Sequence, residues 1–390
     1  MTSVKRPNLP GADFDHLTEE WASNPWPIWA KLRDEDSLAY SENHGGYYVA
    51  SRYEDVCAIT RDTATFSNFP GSAIPHLEMP PMPPVHYDPP EHTKYRRLIN
   101  PYFAPTQVAS LEPFVRDLVD KLVAPVLASS GFDVLSDVAE PLTRDVTFRL
   151  MGIEEQPDGI DKWVDDLLYK NEDTPASSQK LMEFMAAELQ RRRAHPGEDV
   201  LSGLASAEID GRPLSELELI SASVLILSAG LETTNSAIGG GTLYMLQDAE
   251  VRNQLLGADD RTWRLAMDEI VRWVSPASAN ARHVKQDTEV HGCPLHKGDQ
   301  VLVMWGSANR DECEFPDADA MVIDRFPNRH VGFGMGPHRC VGSHLAKLIM
   351  TAYFQRILPE LGNLRLDGEN AVRWGGAETR GIRSLKLARI

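Results

Sequence analysis

With 390 residues, 42% of them hydrophobic and 25% charged, the chain can bury a large core, and its composition is that of a globular protein. Its 57 acidic residues outnumber 39 basic ones, and the net charge of -18 argues against general nucleic-acid binding while leaving room for a local basic patch. The four cysteines, Cys57, Cys293, Cys313 and Cys340, form no Cys-x-x-Cys pair, so a structural zinc site is not expected and a reducing, cytoplasmic setting is.

In chain order, Met1–Pro10 contains no apolar run, so no signal peptide is expected. The short aromatic segment Gly46–Ser51 reads as a strand. Met79–Pro90 is proline-rich, and the fixed φ and missing N–H of proline exclude a regular helix there. It is either a stiff linker or a binding loop. Met79, Met82, Val85 and Tyr87 favour the loop, being too apolar for a solvated spacer.

Apolar residues at helical spacing predict helices over Glu91–Phe103, Gln107–Leu127, Leu135–Leu150 and Ser178–Arg193. Leu214–Leu246 is longer, lacks a broad polar face, and is expected to run through the core. Glu289–His291 and Gln300–Met304 flank Lys297-Gly298 as a hairpin would, and Arg373–Leu387 is punctuated by Gly375, Gly376 and Gly381 as a second one. No stretch approaches the roughly 18 consecutive apolar residues of a membrane span. The expectation is a mainly α fold with small β-sheets, in one domain over residues 1–390, because no repeat or low-complexity linker divides the chain.

The strongest chemical signal is Phe333-Gly-Met-Gly336-Pro-His338-Arg-Cys340-Val-Gly342, followed by a helical pattern of Leu345, Leu348, Ile349, Ala352 and Phe354. A cysteine just before a helix lies at the positive end of its dipole, where unpaired N–H groups favour thiolate. Gly336 and Gly342 permit tight turns or the close approach of a flat ligand, and Phe333 can shield the sulfur. The phrase resembles the haem-ligand signature of the cytochrome P450 family, Phe-x-x-Gly-x-x-x-Cys-x-Gly, at every fixed position. The resemblance implies haem b lying between the long helix and the cysteine loop and its helix. Cys340 would be the iron ligand, its thiolate pushing electron density onto iron.

Three further phrases stand in the family's order. Glu269 and Arg272, at i, i+3, share one helix face; a surface ion pair is the ordinary reading. The resemblance implies instead a lock on the fold with a third partner, Arg325 or its competitor Arg329. Ala229-Gly230-Leu-Glu232-Thr233-Thr234 lies inside the long helix. An interior Gly costs about 1 kcal/mol relative to Ala, and a buried Glu costs more unless hydrogen-bonded. Such local violations gather at functional sites. The resemblance implies that Ala229 and Gly230 make room for O2, Thr233 presents a hydroxyl, and Glu232 is the proton-delivering acid, with Thr234 the neighbour to be distinguished. His92 and Arg96 share a helix face at i, i+4. The resemblance makes them, with Arg282 and His338, donors to the two haem propionates through charge-assisted hydrogen bonds.

The implied activity is insertion of one atom of O2 into a small lipophilic substrate, terpenoid, aromatic or similar, by hydroxylation or O-dealkylation. No flavin module or cluster cysteines are present. Electrons from NAD(P)H are therefore expected through a ferredoxin, or a flavodoxin, and its reductase, docking near Lys94, Arg97, Arg339 and Lys347. The alternatives are a peroxide-driven peroxygenase and a non-catalytic haem sensor or carrier; neither requires the Glu232–Thr233 pair. The substrate pocket is expected to draw on the proline-rich loop, Leu225 and Ser228, Ala277 and Ser278, and the Ala377–Thr379 turn. Ser228 or Glu378 can orient a polar substrate group, although Arg380 could simply pair with Glu378.

Overall fold

The computed structural model describes residues 13–35, 37–76, 80–169, 172–376 and 378–390. The expectations made for Met1–Pro10, Met79 and Ala377 lie outside the described residues. The architecture is mainly helical with small sheets, as the periodicity predicts.

The long helix spans Glu216–Gln247, and a capping box opens it. Ser215 Oγ accepts from Glu218 N–H at 3.3 Å, and the Glu218 carboxylate accepts from Ser215 N–H at 2.7 Å. By length and composition this helix could cross a membrane, but 61% of its most apolar window is buried inside the protein, as in a core helix. It packs against helices Glu140–Met151, Thr174–Ala194, Asp260–Val274 and Ser343–Ile357, and against strand Gly381–Arg389. Its interior glycines are explained by those approaches. A Cβ on Gly230 would stand 2.7 Å from Thr147 Oγ1, one on Gly240 2.8 Å from Val274, and one on Gly241 2.6 Å from Phe354. The propensity lost at each, about 1 kcal/mol, is offset by packing that a side chain would forbid.

Three predicted helices are divided, the first of them, Glu91–Phe103, into Glu91–Ile99 and a 3-10 turn over Asn100–Phe103. Gln107–Leu127 becomes Pro105–Ser110 and Glu112–Ala128, and Leu135–Leu150 becomes a π-turn, Leu135–Ala139, followed by Glu140–Met151. Pro113 stands in the first turn of the following helix, where a missing N–H has no intrahelical partner to lose, whereas Pro141 follows residues already helical, and there Glu140 N–H donates five residues back to Leu135 O.

The larger sheet has the order Ala39–Ser41, Tyr47–Ala50, Gln300–Val303, Asn280–Val284, Phe66–Ser67. Gln300–Val303 runs parallel to Tyr47–Ala50 and antiparallel to Asn280–Val284. This corrects the predicted pairing of Glu289–His291 with Gln300–Met304. Thr288–Val290 instead pairs with Cys293–Leu295 across His291-Gly292, two residues with positive φ that form a tight turn. The Lys297-Gly298 turn returns the chain to the earlier strand, with Gly298 N–H donating to Val284 O at 2.9 Å. The C-terminal hairpin forms as predicted, Val372–Gly375 against Gly381–Arg389.

One buried charge cluster ties helix Asp260–Val274 to the segment before the cysteine loop. Arg272 grips Glu269 through two bonds of 2.8 and 2.7 Å, and Arg325 Nε donates to both carboxylate oxygens at 3.1 and 3.2 Å. Asn328 Nδ2 and Val322 N–H add bonds of 2.9 and 2.8 Å. Burial alone would raise the Glu269 pKa, but the Arg272 hydrogen bonds and charge, with Val322 N–H and Arg325, hold it below the usual carboxylate value. Arg329 takes no part: its side chain is 69% exposed and lies 3.6 Å from Glu314. Because removing one partner strands the other buried charges, Glu269→Ala is expected to lower the unfolding free energy by about 3–5 kcal/mol. Arg329→Ala should change it by less than about 0.5 kcal/mol. Urea unfolding of both variants measures the difference.

Candidate active site

Between the long helix and helix Ser343–Ile357 lies a cavity of about 340 Å³. The long helix lends it Leu225, Ala229, Gly230, Thr233 and Thr234; the cysteine loop lends Phe333, His338, Cys340 and Gly342. Helix Glu91–Ile99 supplies His92 and Arg96, and strand Asn280–Val284 supplies Asn280 and Arg282.

The cysteine loop is closed by Cys340 N–H donating to Phe333 O at 2.8 Å. Gly336 has φ +66°, and a Cβ there would meet Thr60 O at 2.9 Å, so only glycine fits. Gly342 is the N-cap of the following helix, and a Cβ there would stand an ordinary 3.9 Å from Cys340 Sγ. Protein packing alone does not demand glycine at 342. Cys340 lines the cavity and is exposed to it. Burial pushes the Cys340 thiol above its ordinary pKa, against the N–H groups of Gly342 and Ser343 and the charges of Arg96 and Arg339. The helix start therefore favours thiolate, as expected, but does not outweigh desolvation by itself.

Among the described residues, four donors face this cavity without an ion-pair partner. His92 Nδ1 and Nε2 and His338 Nε2 are buried and have no hydrogen-bond partner. Arg282, buried, donates Nη1 only to its neighbour's carbonyl, Ala281 O, at 2.8 Å. Arg96 reaches Asn100 Oδ1 and Arg339 O. Burial drives the His92 pKa down to about 4, helped by Arg96, and the His338 pKa to about 3, helped by His92, Arg282 and Arg96. Burial likewise lowers Arg282 to about 10. Buried donors are almost always satisfied, so this set fits a ligand bearing carboxylates. A thiol together with four such donors fits haem.

The long helix separates the acid from the alcohol. Thr233 lines the cavity, its Oγ1 donating to Ala229 O at 3.2 Å. Thr234 also touches the cavity but is buried. Glu232 lines no part of it. Its carboxylate accepts from Ser236 Oγ at 3.2 Å and lies 3.8 Å from Arg383 Nη1.

A second cavity of about 220 Å³ adjoins the first through Ser72, Val85, Leu225, Ala229, Thr233 and Asn280. Ser228, Glu378 and Thr379 line it, together with Met82, Val85 and His86 of the proline-rich loop. The loop is therefore a cavity wall and not a spacer. Ala277 lines the larger cavity. Ser278 lines neither: it is buried, and both its N–H and its hydroxyl donate to Glu378 O, at 2.8 and 3.1 Å. The Glu378 carboxylate accepts from Ile74 N–H at 2.8 Å and lies 3.3 Å from His16 Nε2. Arg380 does not pair with it but stacks between Trp26 and Trp374.

Sequence reasoning missed Asn280 and His86. Asn280 was within reach, because i, i+2 spacing on a strand puts it on the same face as Arg282. His86 carried no signal beyond its place in an apolar loop.

The comparisons with known proteins agree with this geometry. Residues 264–362 match the family profile described as Cytochrome P450. A steroid C26-monooxygenase of Mycobacterium tuberculosis is 33% identical over 340 residues, covering 85% of this chain and 91% of that one. Cytochrome P450-terp of a Pseudomonas species is 31% identical over 387 residues, 88% of each chain. A Mycobacterium marinum cytochrome P450 solved in complex with pseudoionone superposes with a TM-score of 0.85 at 25% identity, covering 96% of this chain and 99% of that one. With one-third of its residues identical to those of such an enzyme along most of its length, the chain belongs to the cytochrome P450 family, whose monooxygenases use haem and O2 with electrons from NAD(P)H through partner proteins.

Proposed function

We propose that residues 1–390 form a single haem domain that inserts one atom of O2 into a small lipophilic substrate, terpenoid, aromatic or similar, by hydroxylation or O-dealkylation. Its electrons would come from a separate ferredoxin or flavodoxin with its reductase, in the cytoplasm. The observation that carries this reading is the shared cavity: Cys340 and Thr233 line it together with His92 and His338, whose Nε2 atoms have no hydrogen-bond partner among the described residues, and with Arg96 and Arg282, which bond only neutral oxygens.

Cys340 would hold the iron, and His92, Arg96, Arg282 and His338 the propionates. Haem bound there supplies the redox chemistry that activates O2. Thr233 holds an exchangeable proton at Oγ1 on the cavity wall and can take up and release protons there. Glu232 can serve as the acid only if its carboxylate leaves Ser236 and swings toward the cavity, or if water links the two. The second cavity, largely apolar on its Met82, Val85 and Leu225 side, takes the body of the substrate. A steroid C26-monooxygenase and a cytochrome P450 solved with pseudoionone, both similar to this chain, support a lipophile.

Docking of an acidic electron carrier narrows to two of the four expected cations. Lys94 is paired with Glu91 and Asp210, and Lys347 with Asp268. Arg97 and Arg339 are exposed, and neither has an ion-pair partner among the described residues.

Cys340→Ser is expected to abolish the red-shifted Soret band of the reduced carbonyl complex; its persistence in a difference spectrum would refute the ligand assignment. Thr233→Ala should keep that band but lower product formed per NAD(P)H consumed severalfold, whereas Thr234→Ala should leave the ratio near wild type. The reverse ranking would move the role to Thr234. Turnover with an electron donor and O2 set against turnover with peroxide separates the monooxygenase from a peroxygenase. Arg97→Glu with Arg339→Glu should slow first electron transfer about tenfold at low salt. The deficit should shrink as the screening length falls to about 8 Å near physiological ionic strength. Stopped-flow reduction across a salt series reads both.

A further inference from the structure

The second cavity contains a hydrogen-bonding pattern that specifies what the substrate must bring. Two of its polar side chains have their orientation set by groups that can only donate. Met82 N–H donates to His86 Nδ1 at 3.2 Å, so Nδ1 is the unprotonated nitrogen and the ring proton sits on Nε2. Trp305 Nε1–H donates to the Asn280 side chain at 3.0 Å, so the amide oxygen faces Trp305 and the amide NH2 remains. His86 is buried, and burial, with the nearby His76 charge, drives its pKa down to about 4, which keeps the ring neutral and its tautomer defined near pH 7.

Three of the neighbouring groups with acceptor or dual character are engaged within the protein, while the side chains of Ser72, His76 and Thr379 also line the cavity. Ser228 Oγ donates its proton to Val224 O at 2.9 Å, and Thr233 Oγ1 donates to Ala229 O at 3.2 Å. Glu378 Oε1 receives Ile74 N–H at 2.8 Å and lies 3.3 Å from His16. No protein acceptor is in place for His86 Nε2–H or for the Asn280 amide N–H among the described residues. Both residues line the cavity, and Asn280 lines the larger one too, at the passage between them. The cavity wall thus presents fixed N–H donors set in apolar surroundings of Met82, Val85 and Leu225.

We propose that His86 Nε2–H and the Asn280 amide hold a neutral acceptor oxygen of the substrate, a ketone, ester or ether oxygen, and so set which end of a lipophile lies away from the reacting centre. This deepens the monooxygenase reading and rests on it. A hydrocarbon of the same shape leaves both donors unanswered, which is the discrimination that hydrogen-bonding sites perform well and purely apolar pockets do not.

The test uses the haem-loaded protein and a matched pair of probes: pseudoionone, and the hydrocarbon in which a methylene replaces its carbonyl. Dissociation constants are measured by calorimetry and by the haem spin-state change. The ketone is expected to bind about tenfold more tightly, equivalent to about 1.4 kcal/mol. His86→Asn keeps an acceptor for Met82 N–H at the position of Nδ1 but removes the Nε2–H. Asn280→Asp keeps the acceptor for Trp305 but removes the amide donor. Each should reduce the ketone preference, and the double variant should abolish it. His86→Gln, whose amide nitrogen reaches the Nε2 position, should restore part of it. A normal carbonyl-complex spectrum in each variant verifies the haem pocket. The proposal is overturned if wild-type protein binds the ketone no more tightly than the hydrocarbon, a result that needs no variant to fold. An unchanged preference in the double variant overturns it as well. Failure of the monooxygenase reading would be seen separately, as a wild-type carbonyl complex lacking the thiolate band, and calorimetry would still report the probe preference.

Discussion

The Glu269 carboxylate, fully buried, accepts from Arg272, Arg325, Asn328 and Val322 N–H, and the rest of the cysteine side is arranged from it. Arg272 also donates to Asn309 O at 2.7 Å, and Asn309 Oδ1 accepts from Val331 N–H at 2.7 Å, two residues before Phe333. Phe333 O in turn receives Cys340 N–H. A continuous series of bonds therefore runs from one helix to the sulfur. Such a cluster is not strong evidence of net stability, since desolvation opposes the ion pairs. What it supplies is position, because each carbonyl and carboxylate in it has one geometry that satisfies all its partners.

Across the cavity the constraint is packing. Glycines bring the long helix against Thr147, Val274 and Phe354, and that closeness sets where Ala229 and Thr233 stand relative to Cys340. The same helix turns Glu232 outward to Ser236 and Arg383. The acid and the alcohol, adjacent in sequence, thus lie on different faces, as about 100° of rotation per residue requires. A role for Glu232 in proton delivery would therefore require motion or water, whereas the Thr233 side chain already lines the cavity.

The electrostatics of the protein are divided between surface and interior. The chain carries a net charge of -18, yet the groups that face the larger cavity are arginines and neutral imidazoles whose pKa values burial has lowered. An anionic group placed among them would reverse that penalty, which is why the donor set reads as a carboxylate receptor. The smaller cavity follows different chemistry: its free donors are uncharged, and they suit a neutral oxygen.

Local order was legible in the residues themselves. Helical periodicity located the long helix to within two residues at its start and one at its end, and the cysteine phrase and the C-terminal hairpin are each contained in a short stretch of sequence. What could not be read was whatever depends on residues far apart in the chain. Arg325 rather than Arg329 reaches Glu269 because of how the segment after Asn309 folds back. Gln300–Val303 pairs with Asn280–Val284 because a tight turn at His291-Gly292 occupies the intervening strand. Ser278 is withdrawn from the pocket by the carbonyl of Glu378, a hundred residues away. His86 and Asn280 acquire defined donors only from Met82 and Trp305, and a tautomer or an amide orientation is decided by its hydrogen-bond partner and never by the residue's own identity.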